Sequence, residues 1–349
     1  MRIGLIDVDA WSRGSTTFPN ISLMKLSAYH KRRCDQVEWY NPDTAVPYDR
    51  VYLNKIFSDE YSSDYDQPVR AKEVFRRGSG YALSVMNGVE VYDILIDLPF
   101  PAELDHIYPD YHLYQRKVFV PDVDDKGEEL GTGYYKMVDM FPDTAYGFMT
   151  KGCPNNCDFC HVCQMQGRKV WNFANLSEFW NGQKNIVLLD PNITASKDFV
   201  RHMGALADTG AYVDFSQGLD ARLLTEEKIH ALNRVRYKRI HFAWDNPRQD
   251  LADNFRMIAT HLRRGGRDAV SCYVLTNHSS THEDDLRRVY TLREVGFHPY
   301  IMIYRKPTAS QFTRRLQRWC NAPALFYKFP TFGEYCRATY KGGEGLEEP

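Results

Sequence analysis

The 349-residue chain has almost no net charge, few cysteines and no long apolar run, and each scarcity removes a class of protein. Its 44 Lys and Arg against 45 Asp and Glu leave a formal charge of -1, so no global field draws it to nucleic acid or to an anionic membrane. Any basic surface is local. No apolar stretch approaches the roughly 18 residues of a membrane span. The opening MRIGLIDVDAW places Asp7 and Asp9 inside its apolar run and does not read as a signal peptide, so a soluble, cytoplasmic protein is expected. There is no internal repeat and no low-complexity block. Disorder is excluded as well, because 43% hydrophobic and 14% aromatic residues are ample for buried cores. Of the eight cysteines, Cys34, Cys272, Cys320 and Cys336 are scattered and read as ordinary buried thiols of a reducing compartment.

What is present falls into two regimes, as the length suggests, since the chain is about twice the length of a typical domain. Residues 1–98 alternate strands with helices: RIGLIDV, then the amphipathic NISLMKLSAYHKRR behind the cap Asn20, then QVEWY, YDRVYLNKIF and VYDILIDL as strands. That order predicts a doubly wound, Rossmann-like parallel sheet. Residues 99–143 hold Pro99, Pro101, Pro109, Pro121 and Pro142 and the acidic turn DVDDKGEE, and read as a connecting segment with a hairpin. From residue 144 to 308 the strands AYGFMT, NIVLLD, AYVDFSQ, RIHFAWD, AVSCYVLTN and HPYIMIY alternate with helices. One helix, THEDDLRRVYTLREVG, opens on a capping box from Thr281 to Asp284. Strands in βα order predict a partial (β/α)6 TIM-type barrel, with its site at the carboxyl ends of the strands. The segment 309–349 forms a basic, aromatic helical extension.

The other four cysteines lie within KGCPNNCDFCHVC, Lys151 to Cys163, directly after the first of those strands. Structural zinc sites ordinarily use separated pairs of C-x-x-C type, and there is no second pair here. The spacing Cys153, Cys157, Cys160 places three thiolates on one loop. On a 4Fe–4S cube they would leave one iron without a protein ligand, the mark of a catalytic site. A closed metal or cluster module with a structural or sensing role is the rival reading.

CPNNCDFC after a barrel-type strand resembles the cluster loop of the radical S-adenosylmethionine superfamily. The resemblance implies that Cys153, Cys157 and Cys160 bind a 4Fe–4S cluster, with S-adenosylmethionine on the remaining iron and Phe159 near the adenine. It further implies an enzyme that cleaves S-adenosylmethionine reductively to a 5′-deoxyadenosyl radical, which takes hydrogen from a nucleotide or RNA, a peptide or a small metabolite. An electron donor such as flavodoxin or ferredoxin would supply the reduction. Where the family often has a Gly-Gly-Glu turn, this chain reads LLDPNIT, which makes Asp190 and Asn192 the amine contacts. Asp245 in FAWDN, and Gln217 and Arg222 in QGLDARLL, are the other candidate cofactor contacts, Arg222 as a fork for a carboxylate. Cys163 is expected to be a nearby thiol and not a fourth ligand, since four thiolates would close the cluster. His30, His241 and His278 read as bystanders.

The first domain resembles the cobalamin-binding domain that precedes many such barrels, in degenerate form. The connection DAWSRGSTTFPN lacks the histidine of D-x-H-x-x-G, so cobalamin is not expected to be retained. In the extension, Arg305, Lys306, Arg314, Arg315, Arg318, Lys328, Arg337 and Lys341 interleave with Trp319, Phe326, Tyr327, Phe329, Phe332 and Tyr335. That pattern suits stacking on single-stranded nucleic acid. The favoured reading is a helix whose Phe312, Leu316 and Trp319 pack inward while the arginines face solvent.

Overall fold

Ile3, Leu5 and Ile6 are buried on the first strand, which lies inside a parallel sheet. In the computed structural model, residues 1–14, 18–86, 89–114, 117–121, 135–139, 143–237, 239–263 and 269–340 are described. They divide into two compact units, Met1–Gly147 with Asn155–Arg168 and Ala174–Gln183, and Phe148–Pro154 with Lys169–Phe173 and Lys184–Pro349.

The first unit is built on β1 (Arg2–Asp7), β2 (Gln36–Trp39), β3 (Tyr48–Asn54) and β4 (Ala71–Arg77), all parallel in the order β2-β1-β3-β4. The Asp7 side chain caps α1 (Val8–Arg13). Asn20 caps α2 (Ile21–Arg32) by accepting from Leu23 N at 3.2 Å, as its position before the amphipathic run predicts. Leu23 and Leu26 of α2 pack with Ile3, Leu5 and Tyr52.

One strand differs from the expectation. The fourth strand of the sheet is AKEVFRR, not VYDILIDL. AKEVFRR pairs on one side only and is largely exposed, so it carries the polar composition of an edge and no apolar signature. VYDILIDL instead supplies the end of β6 (Val89–Tyr92), antiparallel to β5 (Leu83–Met86), which follows the short helix α3 (Ser79–Ala82). It stops at Asp93, whose side chain accepts from Leu95 N at 2.9 Å and turns the chain. Leu95 beyond the turn is 84% exposed. The expected hairpin is β7 (Lys117–Pro121) against β8 (Tyr135–Asp139), while the acidic turn at 122–129 lies outside the described residues. β9 (Thr144–Gly147) and α4 (Val162–Gln166) complete this unit.

In the second unit β10 (Thr150–Lys151) pairs antiparallel with β11 (Trp171–Asn172). AYGFMT is therefore two short strands and not one. β12 (Asn185–Leu188), β13 (Tyr212–Phe215) and β14 (Arg236–Tyr237) are parallel neighbours, as are β15 (Ile240–Ala243), β16 (Val270–Thr276) and β17 (His298–Ile303). Between β13 and β15 the link is an isolated parallel bridge, Leu219 to Phe242, with Leu219 N donating to His241 O at 2.7 Å. The architecture is mixed α/β with parallel sheets. α5 (Phe199–Thr209), α6 (Glu226–Leu232), α7 (Ala252–His261) and α8 (His282–Glu294) alternate with the strands. The capping box at Thr281 and Asp284 is formed. Beyond β17, α9 (Gln311–Asn321), α10 (Pro323–Lys328) and α11 (Phe332–Thr339) bury Phe312, Leu316, Trp319, Phe326, Phe332 and Tyr335, so these side chains form a core, while Tyr327 and Phe329 are half-buried. Lys341 lies outside the described residues. Among the described residues no helix is long and apolar enough to cross a membrane.

Candidate functional site

The chain enters the cysteine loop from β10, and a buried carboxylate sets that entry. Asp190, 4% exposed just after β12, accepts from Met149 N at 3.1 Å and from both Thr150 N and Thr150 Oγ1, the latter at 2.6 Å. These bonds fall at the break in AYGFMT and hold Met149 and Thr150 at the start of β10. Burial pushes the Asp190 carboxyl up to about 6 although all three donors favour its charged form. Its oxygens are directed at the chain leading to Cys153.

Asn192, also buried, bridges two carboxyl ends. Its Nδ2 donates to Cys153 Sγ at 3.7 Å and to Asp220 Oδ2 at 3.4 Å. Its Oδ1 is buried with no hydrogen-bond partner among the described residues. Beyond β13, Arg222 closes a fork onto Asp220, Nε to Oδ1 at 2.7 Å and Nη2 to Oδ2 at 2.6 Å, and Nη1 donates to Gln249 Oε1 at 3.2 Å. The fork inferred for Arg222 is thus filled from within the chain. Gln217 is exposed, and among the described residues its side chain makes no hydrogen bond. Asp245, after β15, is half-buried and its carboxylate has no hydrogen bond among the described residues. Burial pushes it up to about 6, against the pull of Arg288 and Arg222. Phe159 is half-buried on the loop.

Cys153, Cys157, Cys160 and Cys163 are half-buried, and all eight cysteines are thiols; Cys272, Cys320 and Cys336 are buried as expected, whereas Cys34, in the turn that follows α2, is exposed. Cys163 lies in the first turn of α4, where its Sγ donates to Asn156 Oδ1 at 3.4 Å. His161 stands 3.6 Å from Glu90. Among the described residues no three His, Cys, Asp or Glu side chains are gathered closely enough to hold a single metal ion. The donor set suits a larger iron–sulfur group, whose thiolates bind different irons, and the unpartnered Oδ1 of Asn192 beside Cys153 is an acceptor position ready for a bound molecule.

Two participants were missed in the sequence. Asp220 stands two residues before Arg222, a spacing that suits a local fork. Arg288 is buried on α8 and donates to Trp244 O at 2.7 Å, Leu275 O at 2.9 Å and Asp285 Oδ1 at 2.6 Å, tying together the ends of β15 and β16. Its signal was a charge on the apolar stripe shared with Leu286, Val289 and Leu292.

The first unit has polar capacity of its own at the carboxyl ends of β1 and β3. Asp9 accepts from Ile56 N at 2.7 Å, and the guanidinium of Arg13 lies 4.2 Å from the Phe57 ring centre. Trp11, Phe18, Ile56 and Phe57 are exposed there. Behind them Asn54 Nδ2, Ser58 Oγ and Ser62 Oγ are buried without partners among the described residues. Order β2-β1-β3-β4 makes β1 and β3 the switch point, where sheets of this class bind ligands.

In fold the chain is similar to a radical S-adenosylmethionine methyltransferase. The solved structure is TsrM from Kitasatospora setae with cobalamin and a 4Fe–4S cluster bound, which matches with a TM-score of 0.52 at 11% identity over 86% of this chain and 74% of that one. A second TsrM structure, with tryptophan substrate and the S-adenosylmethionine analogue aza-SAM bound, matches at 12% identity and a TM-score of 0.37 over 86% of this chain and 67% of that one. No family model matches the chain, and no curated protein matches it. The TsrM structure corrects the expectation that a chain of this design does without cobalamin, because that protein, with the fold seen here, has cobalamin bound.

Proposed function

We propose that this chain is a radical S-adenosylmethionine enzyme. The observation that carries the reading is the Asp190–Asn192 turn, which grips the strand entering the cysteine loop and donates to Cys153 from a side chain whose other end is unfilled. The fold likeness to TsrM supports it. In this reading Cys153, Cys157 and Cys160 hold a 4Fe–4S cluster, and the parallel strands β12–β17 form the wall of a partial barrel. Bound there, cluster and S-adenosylmethionine would supply reductive cleavage of the cofactor, driven by one electron from an external donor, and with it the capacity to take a hydrogen atom from substrate. Asn192 tunes the cluster by its N–H to Cys153 and accepts from the amine of S-adenosylmethionine through Oδ1, while Asp190 positions the loop. Asp245, with no hydrogen bond to its carboxylate, is the second cofactor contact. Phe159 faces the adenine, and the Asp220–Arg222–Gln249 network, with Gln217, shapes the wall. Reconstituted protein treated anaerobically with dithionite and S-adenosylmethionine is expected to release 5′-deoxyadenosine. An intact cluster with no cleavage would favour a non-catalytic iron–sulfur module.

A second reading concerns the outcome of the reaction. The exposed Trp11, Phe18, Ile56 and Phe57 and the unfilled Asn54, Ser58 and Ser62 suit a flat apolar macrocycle with a polar tail, and we propose that the first unit holds a corrinoid without a histidine ligand. The chemistry supplied would then be methyl transfer. Incubation with hydroxocobalamin followed by desalting is expected to leave a stoichiometric corrinoid absorbance. Colourless protein would return the reading to a cobalamin-free reaction.

A further inference from the structure

One face of the second unit's strands carries a group of side chains that the cofactor site does not use. On β13, Val213 and Phe215 are buried while Asp214 between them points to the other face. On β15 and β16, His241 is paired in register with Ser271, and its Nδ1 lies 2.6 Å from Ser271 Oγ. Tyr273 stacks on His241 with ring centres 5.0 Å apart and planes 11° from parallel. Tyr300, in register with Tyr273, meets it edge-on at 5.8 Å and is 39% exposed. The face is therefore a short aromatic ladder with a carboxylate, an imidazole and a hydroxyl beside it.

Its hydrogen-bonding capacity is incomplete. Neither oxygen of Asp214 is hydrogen-bonded among the described residues, and Oδ1 is shut off from solvent while Oδ2 is not. Nε2 of His241 likewise has no partner among them. Burial raises the Asp214 carboxyl and lowers the His241 imidazole, each drawn partly back by the charge of the other, while the charge of Arg239 lowers both. Burying a carboxylate with no donor is costly, and proteins ordinarily supply one. No such donor is found among the described residues, and the exposed ring of Tyr300 on the same face offers an aromatic surface to a flat partner.

We propose that this face is the substrate subsite, and that it takes a planar nitrogen heterocycle whose ring N–H donates to Asp214 while the ring packs along Tyr273 and Tyr300. The inference rests on the radical S-adenosylmethionine reading for its link to catalysis, but not for binding itself. His241 accepts a second N–H or passes a proton through Nε2, held in its tautomer by Ser271. A ring of the same shape without the N–H leaves the carboxylate unpaired and is rejected.

The test uses the full chain and calorimetric titration with indazole and with benzisoxazole, which has a ring oxygen where indazole has the N–H. Indazole is expected to bind, and benzisoxazole to bind at least about tenfold more weakly, the value of one hydrogen bond to a charged group. Asp214→Asn, whose amide oxygen still accepts but carries no charge, should reduce that preference, and Tyr273→Leu should weaken both rings. Circular dichroism and a thermal melt check that each variant is folded. Equal affinity for the two rings, an unchanged preference in folded Asp214→Asn, or no binding of either ring at millimolar concentration would overturn the subsite. Cluster content and 5′-deoxyadenosine release are measured on the same protein. Ring selectivity without cofactor cleavage would remove the proposed reaction and keep the subsite, and cleavage without selectivity would do the reverse.

Discussion

Replacing Asp190 by Ala tests how the cysteine loop is held. The substitution leaves the buried N–H groups of Met149 and Thr150 without their acceptor, at about 1–3 kcal/mol each, or about 4 kcal/mol together at mid-range. It also removes a carboxylate that burial disfavours in its charged form. The folded value of about 6 lies above the ordinary 3.8, so between these the folded chain binds more protons than the unfolded chain, and the contribution of Asp190 to stability falls as pH rises. That difference corresponds to about 3 kcal/mol, of which about 2 kcal/mol falls between about pH 4.5 and pH 7. Asp190→Ala should therefore destabilise by about 3 kcal/mol near pH 4.5 and by only about 1 kcal/mol near pH 7. Urea unfolding of parent and variant at matched pH measures the gap. A gap that stays constant or widens toward neutral pH would refute the account, because it would mean that the three donors outweigh burial and that the charged form is the favoured one.

Cys153→Ala, Cys157→Ala and Cys160→Ala should each abolish reconstituted iron and cofactor cleavage, whereas Cys163→Ala should keep a full 4Fe–4S complement. If the electron paramagnetic resonance signal of the reduced parent responds to S-adenosylmethionine only after Cys163 is removed, Cys163 is a ligand and the assignment fails. Asn192→Ala should leave the fold and iron content intact but weaken S-adenosylmethionine binding about tenfold in equilibrium dialysis, through loss of the Oδ1 acceptor. Unchanged affinity would dismiss that contact. Trp319→Ala should cost about 3–5 kcal/mol in urea unfolding, as for a fully buried aromatic core residue. Trp319→Phe should cost much less, because Nε1 has no hydrogen-bond partner among the described residues to lose.

Much of the architecture was legible in local patterns. Asn20 before an amphipathic run, the box at Thr281 and Asp284, and the apolar cores of RIGLID, NIVL and VSCYVLT specify elements that form from their own side chains and immediate neighbours. The same holds for the burial of Phe312, Leu316 and Trp319, since a helical period reveals the face that packs. AKEVFRR was missed because an edge strand needs one partner and no apolar signature. VYDILIDL was misread because composition alone does not show that Asp93 turns the chain away.

The site divides in the same way. The sequence by itself determined which thiols share a loop and that Asp190 and Asn192 follow a buried strand, because those are matters of spacing along one backbone. Only the tertiary structure decided what their polar atoms meet. Asp190 spends its oxygens on residues 40 and 41 positions away, Asn192 reaches Cys153 across 39, and Arg222 closes on Asp220 instead of presenting an open fork. Asp214 and His241 are brought to one face from 27 positions apart by adjacent parallel segments, and no local pattern marks either. The reason is physical: a hydrophobic period is written within each element, whereas the partner of a hydrogen bond is chosen by the fold that brings distant elements together.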